Sequence, residues 1–145
     1  MSDVEAYHEL CAYTLTHGDP AFIHQHVVDT FAAQNANEQT KPITLTFALA
    51  GLHLHVDRQL SGRQVQRVHQ WLARKKRPWP AFNLPEKRGS ITATAVMVRP
   101  AGLERDAAIE AWATEVWAAF HCDSKTAGIV RELCRGAVEA LCLTR

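Results

Sequence analysis

The stretch "PITLTFALAGLHLHVDRQLSG", residues 42–62, has the longest apolar pattern with helical spacing in this chain. Its apolar residues recur every four or so positions, which is the spacing of one helix face: Leu45, Leu49, Leu52, Val56 and Leu60. Pro42 suits the first position of a helix, and Gly62 suits its end. The β-branched residues at 43, 44 and 46 would also allow a strand, but the length of the pattern favours a helix. The stretch therefore predicts a buried helix.

Similar apolar spacing predicts helices on both sides of this stretch. The first helix runs from Val4 to His17 and ends at Gly18. In the second helix Asp19 suits the N-cap and Pro20 the first helical position, and the helix ends near Asn35 to Asn37. An amphipathic fourth helix follows residue 62 and stops before Pro78. Two more helices cover the C-terminal third, one from Leu103 to about residue 121 and one capped by Asp123 or Ser124.

Residues 78–101 interrupt the helical pattern. Four prolines and Gly89 fall between residues 78 and 100, and "SITATAVMV", residues 90–98, is rich in β-branched residues. We predict a long loop with one strand here. The fold class is therefore all-α, a bundle of five or six helices with one extended loop or strand arm over about residues 78–101, and residues 1–145 form a single domain.

The near-equal numbers of acidic and basic residues limit the kinds of binding partner that the sequence suggests. The 16 Lys and Arg residues against 15 Asp and Glu residues give a formal net charge of +1, which offers no overall attraction for nucleic acid or for a membrane. No apolar run approaches the roughly 20 residues that span a bilayer. The beginning of the chain lacks the pattern of a signal peptide, and the four cysteines are scattered. We expect a cytoplasmic protein with reduced thiols.

Two His-x-His pairs, at residues 24–26 and 53–55, suggest a metal site. On an α-helix, residues two apart point about 200° away from each other, so the two members of a pair cannot share an ion. Pairs spaced by three or four residues share a helix face. These pairs predict a metal site between the second and third helices, for a divalent ion such as zinc, with four ligands: His26, Asp29, His53 and Asp57.

A structural interpretation of the same residues stays open. Eight histidines in 145 residues produce three- and four-residue spacings to acidic residues by chance. Asp57 next to Arg58 is also typical of a solvated, charged surface. In either case we expect His26 and His53 to lie close together, with Asp29 or Asp57 as a hydrogen-bond partner. We expect His24 and His55 to be more exposed.

The one concentrated charge is "ARKKRPWPAF", residues 73–82. Cations next to aromatic rings can bind phosphates and stack on bases, or they can form the basic last turn of a helix. Because the rest of the chain is electrically balanced, nucleic acid is disfavoured. The segment instead predicts a site for an anion or a small ligand, formed by five residues: Arg74, Lys75, Lys76, Arg77 and Trp79.

Motifs for nucleophilic catalysis or for a phosphate-binding loop are absent from the sequence. Two functions of different class therefore stay open: a binding or interaction module without catalysis, and a divalent-metal-dependent enzyme that uses the His/Asp site. The aromatic face of the 103–121 helix, with Trp112, Trp117 and Phe120, also predicts a homodimer, because one small bundle offers little to cover it.

Several short motifs resemble an uncharacterised family of small bacterial helical proteins. That family has a His-containing Val-Asp-x-Tyr/Phe-Ala-x-Gln segment, an apolar His-Leu segment, a Trp-Pro loop and a Trp-x-x-x-Val-Trp helix. The resemblance covers about residues 20–122, and it departs where members often carry a histidine after the Gln and this chain has Asn35. It implies a shared helical unit of unknown function. The matching positions are His26, Asp29, Phe31, Ala32, Gln34, Leu52, His53, Trp79, Pro80, Trp112, Val116 and Trp117.

Overall fold

A computed structural model describes residues 1–16, 19 and 21–143. Within these ranges the regular structure is helical, without a strand, which confirms the mostly helical prediction. The described residues form seven α-helices and one π-helical turn, instead of the five or six helices predicted. The α-helices are α1 (Asp3–Thr16), α2 (His24–Gln34), α3 (Pro42–Leu52), α4 (Gly62–Ala73), α5 (Ala93–Met97), α6 (Leu103–His121) and α7 (Ser124–Leu141), and the π-turn is His53–Asp57.

Helix α3 lies at the centre of the bundle and packs against α2, α4, α6 and α7. Its buried side chains, Leu45, Leu49 and Leu52, join the main apolar core, as the four-residue spacing predicts. The predicted continuation to residue 62 is wrong, because α3 gives way to the π-turn at His53. Gln59 then takes a left-handed φ of 57°, and Ser61 caps α4 by accepting a hydrogen bond from the Gln64 amide.

The segment before α2 forms a turn rather than the predicted first turn of a helix. The Asp19 carboxylate accepts hydrogen bonds from the amides of Ala21 and Ile23, but Phe22 has a left-handed φ of 56°, so α2 begins only at His24. The Gly62 amide donates to the Ala21 carbonyl over 2.7 Å, which ties this turn to α4. The predicted roles of His17, Gly18 and Pro20 lie outside the described residues.

The predicted strand at residues 90–98 is wrong, because this segment contains the short helix α5. The Thr92 hydroxyl accepts a hydrogen bond from the Ala95 amide and caps the helix. The side chains of Ala93 and Val96 are fully buried, and α5 packs against α1. Tertiary packing and a cap thus outweigh the β propensity of the segment.

The irregular segment before α5 is attached to the bundle by Arg88 and Gln34. Arg88 Nη1 donates hydrogen bonds to three carbonyl oxygens at the C-terminal end of α2, those of Ala33, Gln34 and Ala36. Gln34 Nε2 donates to the Ile91 carbonyl, and Gln34 Oε1 accepts from Trp112 Nε1 over 2.9 Å. These bonds satisfy helix-end carbonyls that would otherwise need solvent.

The aromatic face of α6 is covered within the chain. Trp112, Trp117 and Phe120 are each at most 2 % exposed and belong to the apolar core. The expectation that a second copy must cover this face is therefore wrong. In the described part of the chain, no helix combines the length and the apolar character needed to cross a bilayer.

The side chain of Asp29 on α2 lies directly against Gly51 of α3. A Cβ atom on Gly51 would lie 1.8 Å from Asp29 Oδ2, far inside van der Waals contact. Glycine therefore permits the buried carboxyl group of α2 to rest against the α3 backbone.

We expect Gly51→Ala to lower the free energy of unfolding by about 3 kcal/mol, because the new methyl group overlaps Asp29. Adding Asp29→Ala should recover part of the loss, since it removes the overlapping atoms. Urea unfolding of the two single variants and the double variant measures this coupling. Additive losses would show that the contact is not the cause.

Gly136→Ala is the matched control within α7. Its Cβ would lie 3.6 Å from Trp71 Cη2, an ordinary contact. Because alanine is the better helix residue, we expect this variant to be more stable than the parent by about 0.5–1 kcal/mol.

Candidate functional site

The histidines of the two His-x-His pairs meet across α2 and the π-turn. The rings of His26 and His55 are stacked, with centroids 3.4 Å apart and planes 13° from parallel. His26 is only 3 % exposed, and the side chain of His55 is 10 % exposed. The partner of His26 is therefore His55 rather than the predicted His53. His24 and His55 are more exposed than His26 and His53, as expected, but neither faces solvent freely, because His55 stacks on His26 and His24 hydrogen-bonds Thr14.

The π-turn explains why His55 reaches His26. Its hydrogen bonds include one from the Arg58 amide to the His53 carbonyl, five residues apart, so side-chain directions no longer follow α-helical spacing. His53 points elsewhere: its Nδ1 lies 2.9 Å from Asp57 Oδ2, the partner that the sequence spacing predicts. Trp117 Nε1 donates to the same oxygen over 2.9 Å and ties the turn to α6.

Glu110 of α6 completes the group around His55. Its Oε2 lies 2.9 Å from His55 Nε2, at ion-pair distance but without the angles of a hydrogen bond. The Nδ1 atoms of His26 and His55 are buried and have no hydrogen-bond partner in the described structure. Sequence reasoning missed both Glu110 and the role of His55, and no local pattern distinguishes Glu110 from the other acidic residues of α6.

A cavity of about 480 Å³ opens beside these three residues. Its walls combine apolar side chains (Ile23, Val56 and Leu60) with polar ones (Ser61, Gln64 and Thr114). Glu110, which is 54 % exposed, is the one charged residue among the described residues that line it. We call this space, with His26, His55 and Glu110, the histidine cavity.

Burial controls the charge of this site. Desolvation, with a smaller contribution from nearby His55, lowers the pKa of His26 to about 3. The imidazole of His26 is therefore neutral at physiological pH and offers one donor and one acceptor nitrogen.

Asp29 lies in a different environment. Gln25 Nε2 donates to Asp29 Oδ1 over 3.1 Å, and Asp29 Oδ2 has no hydrogen-bond partner in the described structure. His69 Nε2 lies 4.0 Å from that oxygen but donates to the Phe47 carbonyl over 2.9 Å. Burial raises the pKa of Asp29 well above its ordinary value, which favours the neutral acid.

The four predicted metal ligands thus fall into separate groups. His26 stacks on His55, Asp29 packs on Gly51, and His53 pairs with Asp57. Across residues 1–16, 19 and 21–143, no three His, Cys, Asp or Glu side chains are arranged to hold a metal ion. The separation follows from the π-turn, which turns His53 toward Asp57.

The basic segment at residues 74–77 is exposed. The Lys75 ammonium lies 4.3 Å from the centre of the Trp71 ring, and the Arg77 guanidinium lies 5.9 Å from that of Trp79. Two of the four cations therefore rest on rings of their own chain. Binding of an anion or ligand by Arg74, Lys75, Lys76, Arg77 and Trp79 stays a prediction.

One family model matches this chain, over residues 4–121, and it describes a family of unknown function (DUF5946). The chain belongs to DUF5946. This confirms the expected membership of an uncharacterised family. The DUF5946 match includes α2, the π-turn and α6, which hold the three residues of the histidine cavity, and it ends before α7. No curated protein and no solved structure matches the chain.

The lowered pKa of His26 predicts a pH-dependent stability. Between about pH 3 and 6.5, His26 is protonated in the unfolded chain but neutral in the folded chain. The stability that neutral, buried His26 gives the fold is therefore fully present above pH 6.5 and is lost as the pH falls toward 3. We expect the advantage of the parent over His26→Gln to shrink by about 2 kcal/mol between pH 7 and pH 5. Urea unfolding at several pH values measures it.

His8→Gln is the control for this measurement, because His8 is exposed on α1. We expect its stability to follow that of the parent at each pH. A constant difference between His26→Gln and the parent over the same pH range would contradict the neutral, buried state of His26.

Proposed function

We propose that this protein is a small-molecule binding module and that its ligand occupies the histidine cavity. The observation that carries the proposal is the pair of buried imidazoles with unpartnered nitrogens at the cavity. Buried polar atoms are nearly always hydrogen-bonded, and leaving them unpaired costs free energy. These nitrogens have almost no accessible surface in the free chain, so we propose that the ring pair shifts to bond to the ligand when the cavity is occupied.

The size and composition of the cavity support the same proposal. About 480 Å³ falls within the range of small-molecule sites, which commonly combine apolar walls with a few polar groups. The site also lies between separate elements, α2, the π-turn and α6, as ligand sites in helical bundles do.

Binding is favoured over catalysis by what the site contains. The sequence lacks a motif for nucleophilic catalysis, and the predicted His/Asp ligands lie apart, which removes the geometric basis for a metal-dependent enzyme. His26 at a pKa of about 3 is also a poor proton acceptor at neutral pH.

Three broader expectations are also part of this proposal. We propose one domain over residues 1–145, because α7 contributes Val130, Cys134 and Ala137 to the same apolar core as α3. The cytoplasm is the compartment that the sequence favours. The homodimer stays a prediction, although the aromatic face that suggested it is buried within the chain. Light scattering at tens of micromolar protein measures the mass that tests it.

A screen of small polar fragments by NMR tests the binding proposal. With ¹³C-labelled histidine, we expect fragments that enter the cavity to shift the ring signals of His26 and His55 and to leave exposed His8 unchanged. Thr114→Phe, at the cavity wall, should abolish these shifts because the phenyl ring fills the space.

Ala140→Phe is the matched control, since Ala140 is an exposed residue of α7 that does not line the cavity. It should bind as the parent does. Fragments that bind Thr114→Phe as well as the parent, or a screen in which no fragment shifts the His26 and His55 signals, would overturn the proposed function.

A further inference from the structure

We propose that the ligand of the histidine cavity is a small organic cation, an ammonium group attached to a short apolar chain. This inference rests on the proposed function and adds the chemical class of the ligand. It follows from the charge of the cavity, from the kind of hydrogen bonds its polar end offers, and from where its apolar wall lies.

The charge of the cavity is negative at its polar end. Glu110 lines it, whereas no lysine or arginine among the described residues does. Arg63, which directly precedes the cavity residue Gln64 in sequence, has its guanidinium over the Phe22 ring, 4.3 Å from the ring centre. An anion would therefore meet a carboxylate without a compensating cation, whereas a cation would be attracted.

The hydrogen-bonding groups at this end also suit an ammonium group. An ammonium group has three N–H donors and no acceptor, so it needs several acceptors close together. Glu110 supplies carboxylate oxygens, one of them 2.9 Å from His55 Nε2. Neutral His26 supplies one nitrogen lone pair, and the hydroxyl groups of Ser61 and Thr114 belong to residues that line the same cavity. Because His26 stays neutral, it adds no positive charge that would repel the ligand.

The rest of the cavity fits the hydrocarbon part of such a ligand. Ile23, Val56 and Leu60 line it, and burying apolar surface against them is favourable. Glu110 is half-exposed, so the ammonium group would pair with it near solvent while the imidazoles lie deeper. The two ends of the cavity thus select an amphiphilic amine over a fully polar molecule.

Three probes of equal carbon number test this proposal: n-butylammonium, butan-1-ol and butyrate. Each is titrated into histidine-labelled protein, and its dissociation constant is taken from the His26 and His55 ring signals. We expect n-butylammonium to bind at least about tenfold more tightly than butan-1-ol, the worth of one charge-assisted hydrogen bond. Butyrate should bind more weakly than both.

Glu110→Gln removes the negative charge and keeps the shape of the side chain. We expect it to weaken the binding of n-butylammonium about tenfold and to leave the binding of butan-1-ol unchanged. Glu104→Gln is the matched control, because Glu104 is an exposed residue of the same helix outside the cavity. It should not change either constant.

Each other outcome overturns the amine proposal. Equal binding of n-butylammonium and butan-1-ol, or tighter binding of butyrate, shows that the cavity does not select a cation, while the proposed function stands. If no probe binds, the proposal of an amine ligand is also wrong. The fragment screen then decides whether the cavity binds small molecules at all. Zinc chloride is titrated as a fourth probe. If zinc shifts the ring signals, Glu110→Gln abolishes these shifts and n-butylammonium has no effect, the ligand is a metal ion instead.

Discussion

The contact between Asp29 and Gly51 sets how closely α2 and α3 pack at the centre of the bundle. Because residue 51 has no side chain, α2 lies close enough to α3 to bury a carboxyl group against its backbone. The same approach places His26, one turn before Asp29, against the segment that follows α3. A larger residue at this crossing would separate the helices and thereby the two stacked imidazoles.

The π-turn converts this helix crossing into a cavity. An extra residue in the turn sends His53 toward Asp57 and His55 toward His26, so that the two histidines of one pair have different roles. Asp57 accepts hydrogen bonds from both His53 and Trp117, which attaches the turn to α6 and holds Glu110 of that helix near His55. π-turns are frequent at functional sites because they displace side chains from the regular helical pattern.

Buried polar atoms without hydrogen-bond partners cost the fold free energy. His26 and His55 carry buried ring nitrogens without partners, and Asp29 carries a buried oxygen in the same state. Gln34, by contrast, is satisfied on both sides of its amide, because it links α2 to the segment before α5 and to Trp112. The two adjacent imidazoles are therefore the place where buried hydrogen-bonding groups without partners lie next to a cavity, and the proposed binding site rests on them.

Apolar spacing along one helix is enough to predict the helical class and the central position of residues 42–52. The four-residue spacing of His53 and Asp57 also predicts that they pair, and they do so within the π-turn. Three features follow from packing between elements: the end of α3 at the π-turn, the helix in place of the strand at residues 93–97, and the meeting of His26, His55 and Glu110. The first two depend on backbone bonds and packing that override local propensity. The third feature joins residues from three elements. How closely these elements approach depends on side-chain volumes where the helices cross, as at Gly51, and the spacing of residues within one element does not contain this information.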